Sequence, residues 1–256
     1  MIRSLYTAST GMVHQMNRMD VITNNMANSN TTAYKKEGST SQSFDAVYGI
    51  KINDDSVNYI PQTIGKLSLG VKVGETYTDY SDGNLRETEQ SFDFALAGKG
   101  FFAISYADRD GNESIRYTRD GSFTLNKDGI LMTRDGDFVL DENNELIVIP
   151  EGTTMKIDET GRITVDNQVY GKLRLVDFEN YDYLKKFGEN MYTTVEGATE
   201  IPASCKVYQG YLEASNVNVI SEMVELISVT RDYESNQKVI QSVDSSLEKS
   251  VSLGRV

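Results

Sequence analysis

The chain has 256 residues, which is enough for one large domain or two smaller ones. Its 38 acidic and 25 basic residues give a net charge of −13, and this excess of negative charge disfavours nucleic acid or an anionic membrane surface as a partner. With one cysteine and one histidine, the chain cannot form an internal disulfide and lacks the ligands for a zinc site.

The first 26 residues carry the pattern of a helix that packs against another helix. Seven positions at alternating steps of three and four residues form one face, and six of them are apolar or small: Leu5, Ala8, Met12, Gln15, Met19, Ile22 and Met26. This is the heptad spacing of a helix–helix seam. Asn, Ser and Thr crowd together between residues 24 and 32. Because these side chains compete for backbone hydrogen bonds, the helix is expected to end there.

The same segment does not have the form of a cleavable secretion signal. The run from Leu5 to Val13 is interrupted by Thr, Ser and Gly, and no small-residue cleavage site follows it. No stretch of the sequence is apolar and long enough to span a bilayer. We therefore expect no membrane insertion and, if the protein leaves the cell, a route without a cleaved leader.

The middle of the chain contains two regions that differ in their pattern of apolar residues. Residues 35–74 are polar and weakly patterned, and they are expected to form a connector. Residues 75–212 instead contain short apolar-alternating runs separated by glycine turns, with Asp-Gly pairs at 110–111, 120–121, 128–129 and 135–136. Asp-Gly between alternating runs is a strong hairpin signal, so this region is predicted to be an antiparallel β domain.

The last region, from about residue 218, is predicted to be a second long helix. Asn218 is a suitable N-terminal cap and Gly254 a suitable stop. The predicted packing face repeats at heptad spacing and contains Val219, Met223, Leu226, Thr230, Tyr233, Gln237, Ile240, Leu247 and Val251.

Together these elements predict an α+β protein. Residues 1–34 and 213–256 would pair as a coiled-coil-like helical stalk, residues 35–74 would connect, and the antiparallel β domain of 75–212 would be inserted between the helices. Two amphipathic helices bury only one stripe each, and every further buried Leu, Ile, Val or Met adds roughly 1.5–3 kcal/mol. The helices are therefore expected to carry an assembly interface, built from Leu5, Met12, Met19, Ile22, Met26, Val219, Met223, Leu226, Tyr233 and Ile240.

Three other functions fit only parts of the sequence. A Ser–His–Asp enzyme would need His14, which lies within the helical pattern, so no catalytic residue, metal site or cofactor is predicted. A calcium-binding secreted module would use Asp108–Glu113, which brings several oxygen ligands together, but this segment is too short for an EF-hand loop of about twelve residues and suits a hairpin turn. A coiled-coil adaptor for a foreign helix would share the architecture, and self-association would distinguish it from a polymer subunit.

Three blocks of the chain carry motifs that identify a family. The first block is Met1–Ala8, Gly11-Met12, Asn24–Asn28 and Tyr34-Lys35. The middle block is Gly83–Leu85, Asp93, Gly98, Gly100–Phe102, Tyr117–Phe123 and Gly129–Leu131. The last block is Gln209–Asn218, followed by Glu222, Ile227, Arg231, Tyr233-Glu234, Asn236 and Lys238. In this order they resemble the flagellar rod and hook proteins over nearly the whole chain. Ala33 departs from the pattern, because the family usually has Gly there, and it indicates a different exit from the first helix.

This resemblance implies a structural subunit of the bacterial basal-body rod that polymerises helically through its terminal helices. The implied partners are further copies of the chain, other rod and hook subunits and the type III export apparatus, with export from the cytoplasm into the rod without a cleaved signal. Tyr208–Tyr211 is similar to the distal rod protein, whereas Lys238–Asp244 is more similar to its neighbour in the rod. Phe44 and Tyr48 resemble the short aromatic export signal of such substrates, and the alternative is that they anchor the connector.

Overall fold

The computed structural model describes residues 2–50, 63–108, 113–150, 155–165 and 168–254. Helix α1 (Ile2–Ala27) and helix α2 (Val219–Leu253) flank a β-rich middle, so the chain is an α+β protein. It divides into two compact units. The helical unit comprises Met1–Ala27, Glu37–Asp79 and Asn218–Val256, and the β unit comprises Asn28–Lys36 and Tyr80–Val217.

The start of α2 shows how local sequence sets a helix boundary. The Asn218 side chain accepts hydrogen bonds from the backbone N–H groups of Ile220, at 3.1 Å, and Ser221, at 3.2 Å. These donors have no partner inside the helix, so an asparagine cap stabilises them. Glu222 follows in the first turn, where the helix dipole favours a negative charge.

The predicted connector contains strands and belongs to the helical unit. Its strands form two antiparallel pairs, outer with outer and inner with inner: β1 (Glu37–Ser43) with β4 (Val71–Thr78), and β2 (Val47–Ile50) with β3 (Thr63–Leu67). We call this arrangement the ribbon. The ribbon was not predicted because the sequence of β1, Glu-Gly-Ser-Thr-Ser-Gln-Ser, has no apolar face. This strand is held by backbone hydrogen bonds to β4.

The β unit contains the antiparallel strands predicted for the middle of the chain. The strands are β5 (Leu85–Glu87), β6 (Phe94–Lys99), β7 (Phe101–Ala107), β8 (Glu113–Thr118), β9 (Phe123–Leu125), β10 (Leu131–Thr133), β11 (Phe138–Val139), β12 (Met155–Ile157), β13 (Arg162–Val165), β14 (Gln168–Lys172), β15 (Leu175–Phe178), β16 (Leu184–Phe187), β17 (Met191–Thr194), β18 (Glu200–Pro202), β19 (Ser204–Gln209) and β20 (Tyr211–Glu213). In the main sheet the order is β16–β17–β8–β7–β11–β10–β9, and β15 also pairs with β7 and with β18.

The core of the β unit lies on both faces of β7. Phe102 and Ile104 belong to one apolar cluster, whereas Phe101 and Ala103 belong to another. Successive side chains of a strand point to opposite faces, so a run without polar residues indicates a strand that is covered on both sides. The Phe-Phe-Ala-Ile run therefore marks the centre of the unit.

The structural boundary between the units differs from the predicted domain limits by a few residues at each end. Tyr34 and Lys35 are buried and belong to the β unit. The predicted limits instead put Tyr34 at the end of the helical segment and Lys35 at the start of the connector. The chain up to Val217 also belongs to the β unit. The Asp110-Gly111 turn and most of the Asp108–Glu113 candidate calcium segment lie outside the described residues.

Candidate assembly surface

Within the helical unit, α1 and α2 lie side by side and antiparallel. The Gln15 side-chain amide donates to Asp232 at 3.4 Å, and ten residues further along α1 the Asn25 amide donates to Glu222 at 3.3 Å. Ten residues forward along α1 therefore correspond to ten residues back along α2, as in an antiparallel pair. The same register sets the start of α1 opposite Ser245, so the last turns of α2 extend past α1.

The two helices approach closely where α1 carries a glycine. A Cβ atom added at Gly11 would lie 3.1 Å from the Asn236 side-chain nitrogen, which is tighter than ordinary contact. Further along the pair, Arg18 and Glu225 form an ion pair at 2.6 Å. Both of these side chains are more than a third exposed, so the ion pair adds at most about 1 kcal/mol and the apolar contacts hold the helices together.

The ten predicted interface residues do not share one environment in the structure. Ile22 is buried, and eight others are half-buried: Leu5, Met12, Met19, Met26, Val219, Leu226, Tyr233 and Ile240. Met223 is exposed. Most of the predicted set is therefore at least partly covered within the single chain, and whether it also contacts other subunits stays a prediction.

The covered face of α2 is wider than the predicted one. Val219, Leu226, Tyr233 and Ile240 are half-buried, and so is Thr230, whose hydroxyl lies 3.8 Å from the Met19 sulfur of α1. Glu222 and Val229 are buried as well, whereas Met223 is 47% exposed and Gln237 is exposed. Glu222 was not predicted to lie on this face because charged residues are rarely buried unless they are paired.

A second group of apolar side chains on the helices faces away from the pair. Leu247, Val251 and Leu253 are also exposed, but they lie on the last turns of α2, which extend past α1. The group that faces away from the pair comprises Tyr6, Val13 and Met16 on α1 and Ile220, Met223, Val224 and Ile227 on α2. We call these residues the outward face. Scattered single apolar residues are normal on protein surfaces, but a row that includes Ile220 at 76% and Val224 at 64% exposed is typical of an interaction site.

The ribbon packs on α1 through small polar contacts. The Ser41 hydroxyl lies 2.8 Å from the Nε2 atom of His14, and Gly70 lies so close to Thr10 that a Cβ atom there would clash with the threonine hydroxyl. His14 is buried, and its Nδ1 atom has no hydrogen-bond partner among the described residues. The Ser–His pair therefore lacks the carboxylate that orients a catalytic histidine.

The two residues of the predicted export signal lie at the start of the inner ribbon strand. Phe44 precedes β2 and is half-buried, whereas Tyr48 is within β2 and exposed. Tyr48 lies beside Lys66 of the paired strand, whose ammonium is 5.9 Å from the ring centre. The two aromatic side chains thus differ in exposure, and their role in export stays a prediction.

The β unit buries a cluster of charges that sequence analysis did not single out. The Lys35 ammonium donates to a Glu213 carboxylate oxygen at 2.6 Å, and the Arg119 guanidinium lies 3.4 Å from the other oxygen of that carboxylate. Arg119 also forms an ion pair with Asp82 at 2.8 Å and donates to the Gly98 carbonyl at 2.8 Å. We call Lys35, Asp82, Arg119 and Glu213 the charge cluster.

Burial and charge pairing oppose each other in the charge cluster. Burial is the largest influence on Lys35 and lowers its pKa, although Glu213 acts in the opposite direction. Burial would also lower the pKa of Arg119, but Glu213 and Asp82 together raise it. Lys35, Arg119 and Glu213 are each almost fully buried, so removal of the Glu213 charge would leave the two cations with the half-exposed Asp82 as their remaining opposite charge in the cluster.

The signal for this cluster was present in the family motifs. Lys35 ends the first motif block, Arg119 lies in the middle block and Glu213 lies in the last. Charged residues are rarely fully buried unless they are paired, and the sequence alone does not show that these three meet. The contacts within the cluster give a physical reason for one charged residue in each of the three motif blocks.

In the part of the chain that the structure describes, no group of three or more His, Cys, Asp or Glu side chains is arranged to hold a metal ion. None of the helices in that part is long and apolar enough to cross a membrane.

Comparison with known families matches three segments of the chain, in the order of the three motif blocks. Residues 5–35 match the family described as "Flagella basal body rod protein", residues 95–165 match "Flagellar hook protein FlgE/F/G D1 domain", and residues 208–253 match "Flagellar basal body rod FlgEFG protein C-terminal".

Individual relatives cover the whole chain. The flagellar basal-body rod protein FlgG of Buchnera aphidicola subsp. Schizaphis graminum is 35% identical over 97% of this chain and 98% of its own length. FlgG of Bacillus subtilis is 32% identical over the full length of both chains. The flagellar hook-basal body complex protein FlhO of Bacillus subtilis is 28% identical, also over the full length of both.

Proposed function

Because the chain belongs to the family of flagellar basal-body rod proteins and is a structural subunit of the rod, we propose that its copies assemble through the outward face of α1 and α2. The observation that carries the proposal is the row of exposed apolar side chains on these helices. Each of them could contribute roughly 1.5–3 kcal/mol if a neighbouring subunit covered it. The contact would be heterologous and repeat without closing, which gives a helical polymer.

Pairing of α1 with α2 in the coiled-coil manner belongs to the same proposal. The covered positions of α2 follow alternating steps of three and four residues from Val219 to Val243, which is the spacing that knobs-into-holes packing requires. In this scheme the α1–α2 seam holds each subunit together and the outward face joins subunits. Rod and hook proteins would be the neighbours at the two ends of the polymer.

We further propose that the protein is not an enzyme and that it reaches the rod by type III export without a cleaved signal. The structural role of the family supports the first point. The N-terminal motif supports the second, because the residues that would be removed with a leader are those of the helix that packs on α2. Phe44 and Tyr48 are the proposed export signal, and the resemblance of Tyr208–Tyr211 favours the distal position in the rod.

The test compares one charged substitution in two places. Val224, on the outward face, is 64% exposed, and Val169, in β14 of the β unit, is 62% exposed. We expect Val224→Asp to abolish swimming and to yield no rods, because a charge would be buried between subunits. Val169→Asp, the matched control, should swim normally. Both purified variants should keep the circular dichroism of the parent.

A normally swimming Val224→Asp strain would contradict assembly through the outward face. Loss of swimming in both variants would show that the effect of the added charge is not specific to the helices. In either case the chain would still be a rod subunit, but the proposed assembly surface would be wrong.

A further inference from the structure

The seam between α1 and α2 contains one buried polar contact where apolar residues would suffice. Asn25 and Glu222 are each 1% exposed, and the Asn25 side-chain nitrogen donates to a Glu222 carboxylate oxygen at 3.3 Å. The neighbouring seam positions Ile22 and Val229 are buried and apolar. A buried carboxylate contributes less to stability than a well-packed apolar residue would, and the helix dipole favours a negative charge in the first turn without requiring that it be buried.

Asn25 joins three elements through a single side chain. Its nitrogen also donates to the Glu37 backbone carbonyl at 2.8 Å, and its oxygen accepts from the Glu37 backbone N–H at 3.0 Å. The amide therefore connects the last turn of α1, the first residue of β1 and the first turn of α2. These contacts fix the Asn25 amide in one orientation, with its nitrogen directed toward Glu222 of α2.

We propose that Asn25 and Glu222 set the register of α1 against α2 and select this pairing over slipped or intermolecular ones. In a pairing slipped by one heptad, Asn25 would face Val229 and Glu222 would pass beyond the end of α1. Apolar heptads alone distinguish such registers weakly, whereas a single buried polar contact penalises each register in which it is broken. The heptad seams of two copies could otherwise pair with each other.

Selection of the register by Asn25 and Glu222 matters most in a polymer, where each helix is close to the same helices of other subunits. This importance for the polymer rests on the proposed function, whereas the register itself is a property of the single chain. A crowded polymer of similar helices offers many competing partners, and specificity then depends on penalties for wrong pairs.

The register can be measured by cross-linking in the purified full-length protein. With Cys205→Ser as background, Gln15→Cys with Asp232→Cys reports the native register, and Gln15→Cys with Val239→Cys reports a slip of one heptad. A short bifunctional thiol reagent links either pair within a chain, and links between chains appear as dimers on a denaturing gel.

We expect the parent to give the native cross-link and Asn25→Leu with Glu222→Leu to give native, slipped and intermolecular products. The ratio of native to slipped product should fall by about tenfold or more, because a broken buried polar contact shifts an equilibrium by that factor. Ile22→Leu with Val229→Leu, the matched apolar control, should retain the native product alone. Glu222→Gln, which keeps an acceptor for Asn25, should do the same.

The inference is wrong if the double-leucine variant gives the native product alone. If circular dichroism shows that this variant has lost its helices, the single variant Glu222→Leu replaces it, because the contacts of Asn25 with Glu37 remain. We then expect Glu222→Leu to give slipped and intermolecular products, and the native product alone would show that the inference is wrong. Loss of swimming without any slipped or intermolecular product would also contradict the inference, while leaving the proposed function intact.

Discussion

Replacing Glu213 with Gln tests whether the charge cluster holds the β unit together. The change keeps the shape of the side chain and removes its charge. In the structure the carboxylate accepts from Lys35 at 2.6 Å and from the Gly83 backbone N–H at 2.9 Å, and it faces Arg119 at 3.4 Å. Without it, two almost fully buried cations share only Asp82, which is itself half exposed. Breaking a buried ion pair in this way costs about 3–5 kcal/mol.

Urea denaturation of the full-length protein, followed by tyrosine near-ultraviolet circular dichroism, measures this loss. Glu142→Gln is the matched control, because Glu142 forms an ion pair at 3.3 Å with Lys172 in which both side chains are largely exposed. The control should lose less than about 1 kcal/mol. If Glu213→Gln lost no more than the control, the cluster would not stabilise the fold and our account of the buried charges would be refuted.

Two further substitutions test the packing and the electrostatics of the β unit. Gly121→Ala should lower the free energy of unfolding by more than about 2 kcal/mol in the same denaturation assay, because the new Cβ atom would lie 1.8 Å from the Phe94 carbonyl oxygen; stability equal to the parent would contradict the close approach. Burial raises the pKa of Asp137 above its usual 3.8, and the nearby charge of Asp135 raises it further. The protonated form is therefore favoured in the folded protein, so the stability that this group contributes is present below pH 3.8 and is lost as pH rises through the raised pKa. Asp137→Asn should therefore be more stable than the parent at pH 7, with the difference shrinking towards acid pH, and a variant less stable at pH 7 would reverse this assignment.

Much of the fold could be predicted because its signals are local. The 3.6-residue period of α1, the asparagine cap of α2 and the apolar run of β7 each depend on neighbours in sequence. Positive φ angles at Gly129 and Gly136 likewise agree with the Asp-Gly turns.

The features that sequence analysis missed depend on contacts between distant residues. The ribbon is polar and becomes a sheet only by pairing residues about 40 apart, as Glu37 with Thr78. Glu222 was passed over for Met223 because a buried carboxylate makes sense only beside Asn25. The charge cluster joins Lys35 to Glu213, and no periodicity connects positions so far apart.

The substitution of Ala33 for the family's usual glycine does not produce the different backbone conformation that the sequence predicted. Its φ angle is 55°, in the left-handed region that glycine adopts at no steric cost. It is buried, and its backbone N–H donates to the Glu213 carbonyl at 2.8 Å. The chain therefore keeps the backbone conformation that a glycine would favour, with an alanine in its place.

Cross-linking inside the assembled rod tests assembly through the outward face most directly. Cells would carry Val224→Cys or, as the control, Val169→Cys, each with Cys205→Ser, and isolated basal bodies would be treated with a short bifunctional thiol reagent. We expect Val224→Cys to give dimers and larger products between subunits and Val169→Cys to give few. If Val224→Cys stayed monomeric in intact rods and reacted freely with a bulky thiol label, the outward face would be open to solvent in the rod and the account would be contradicted.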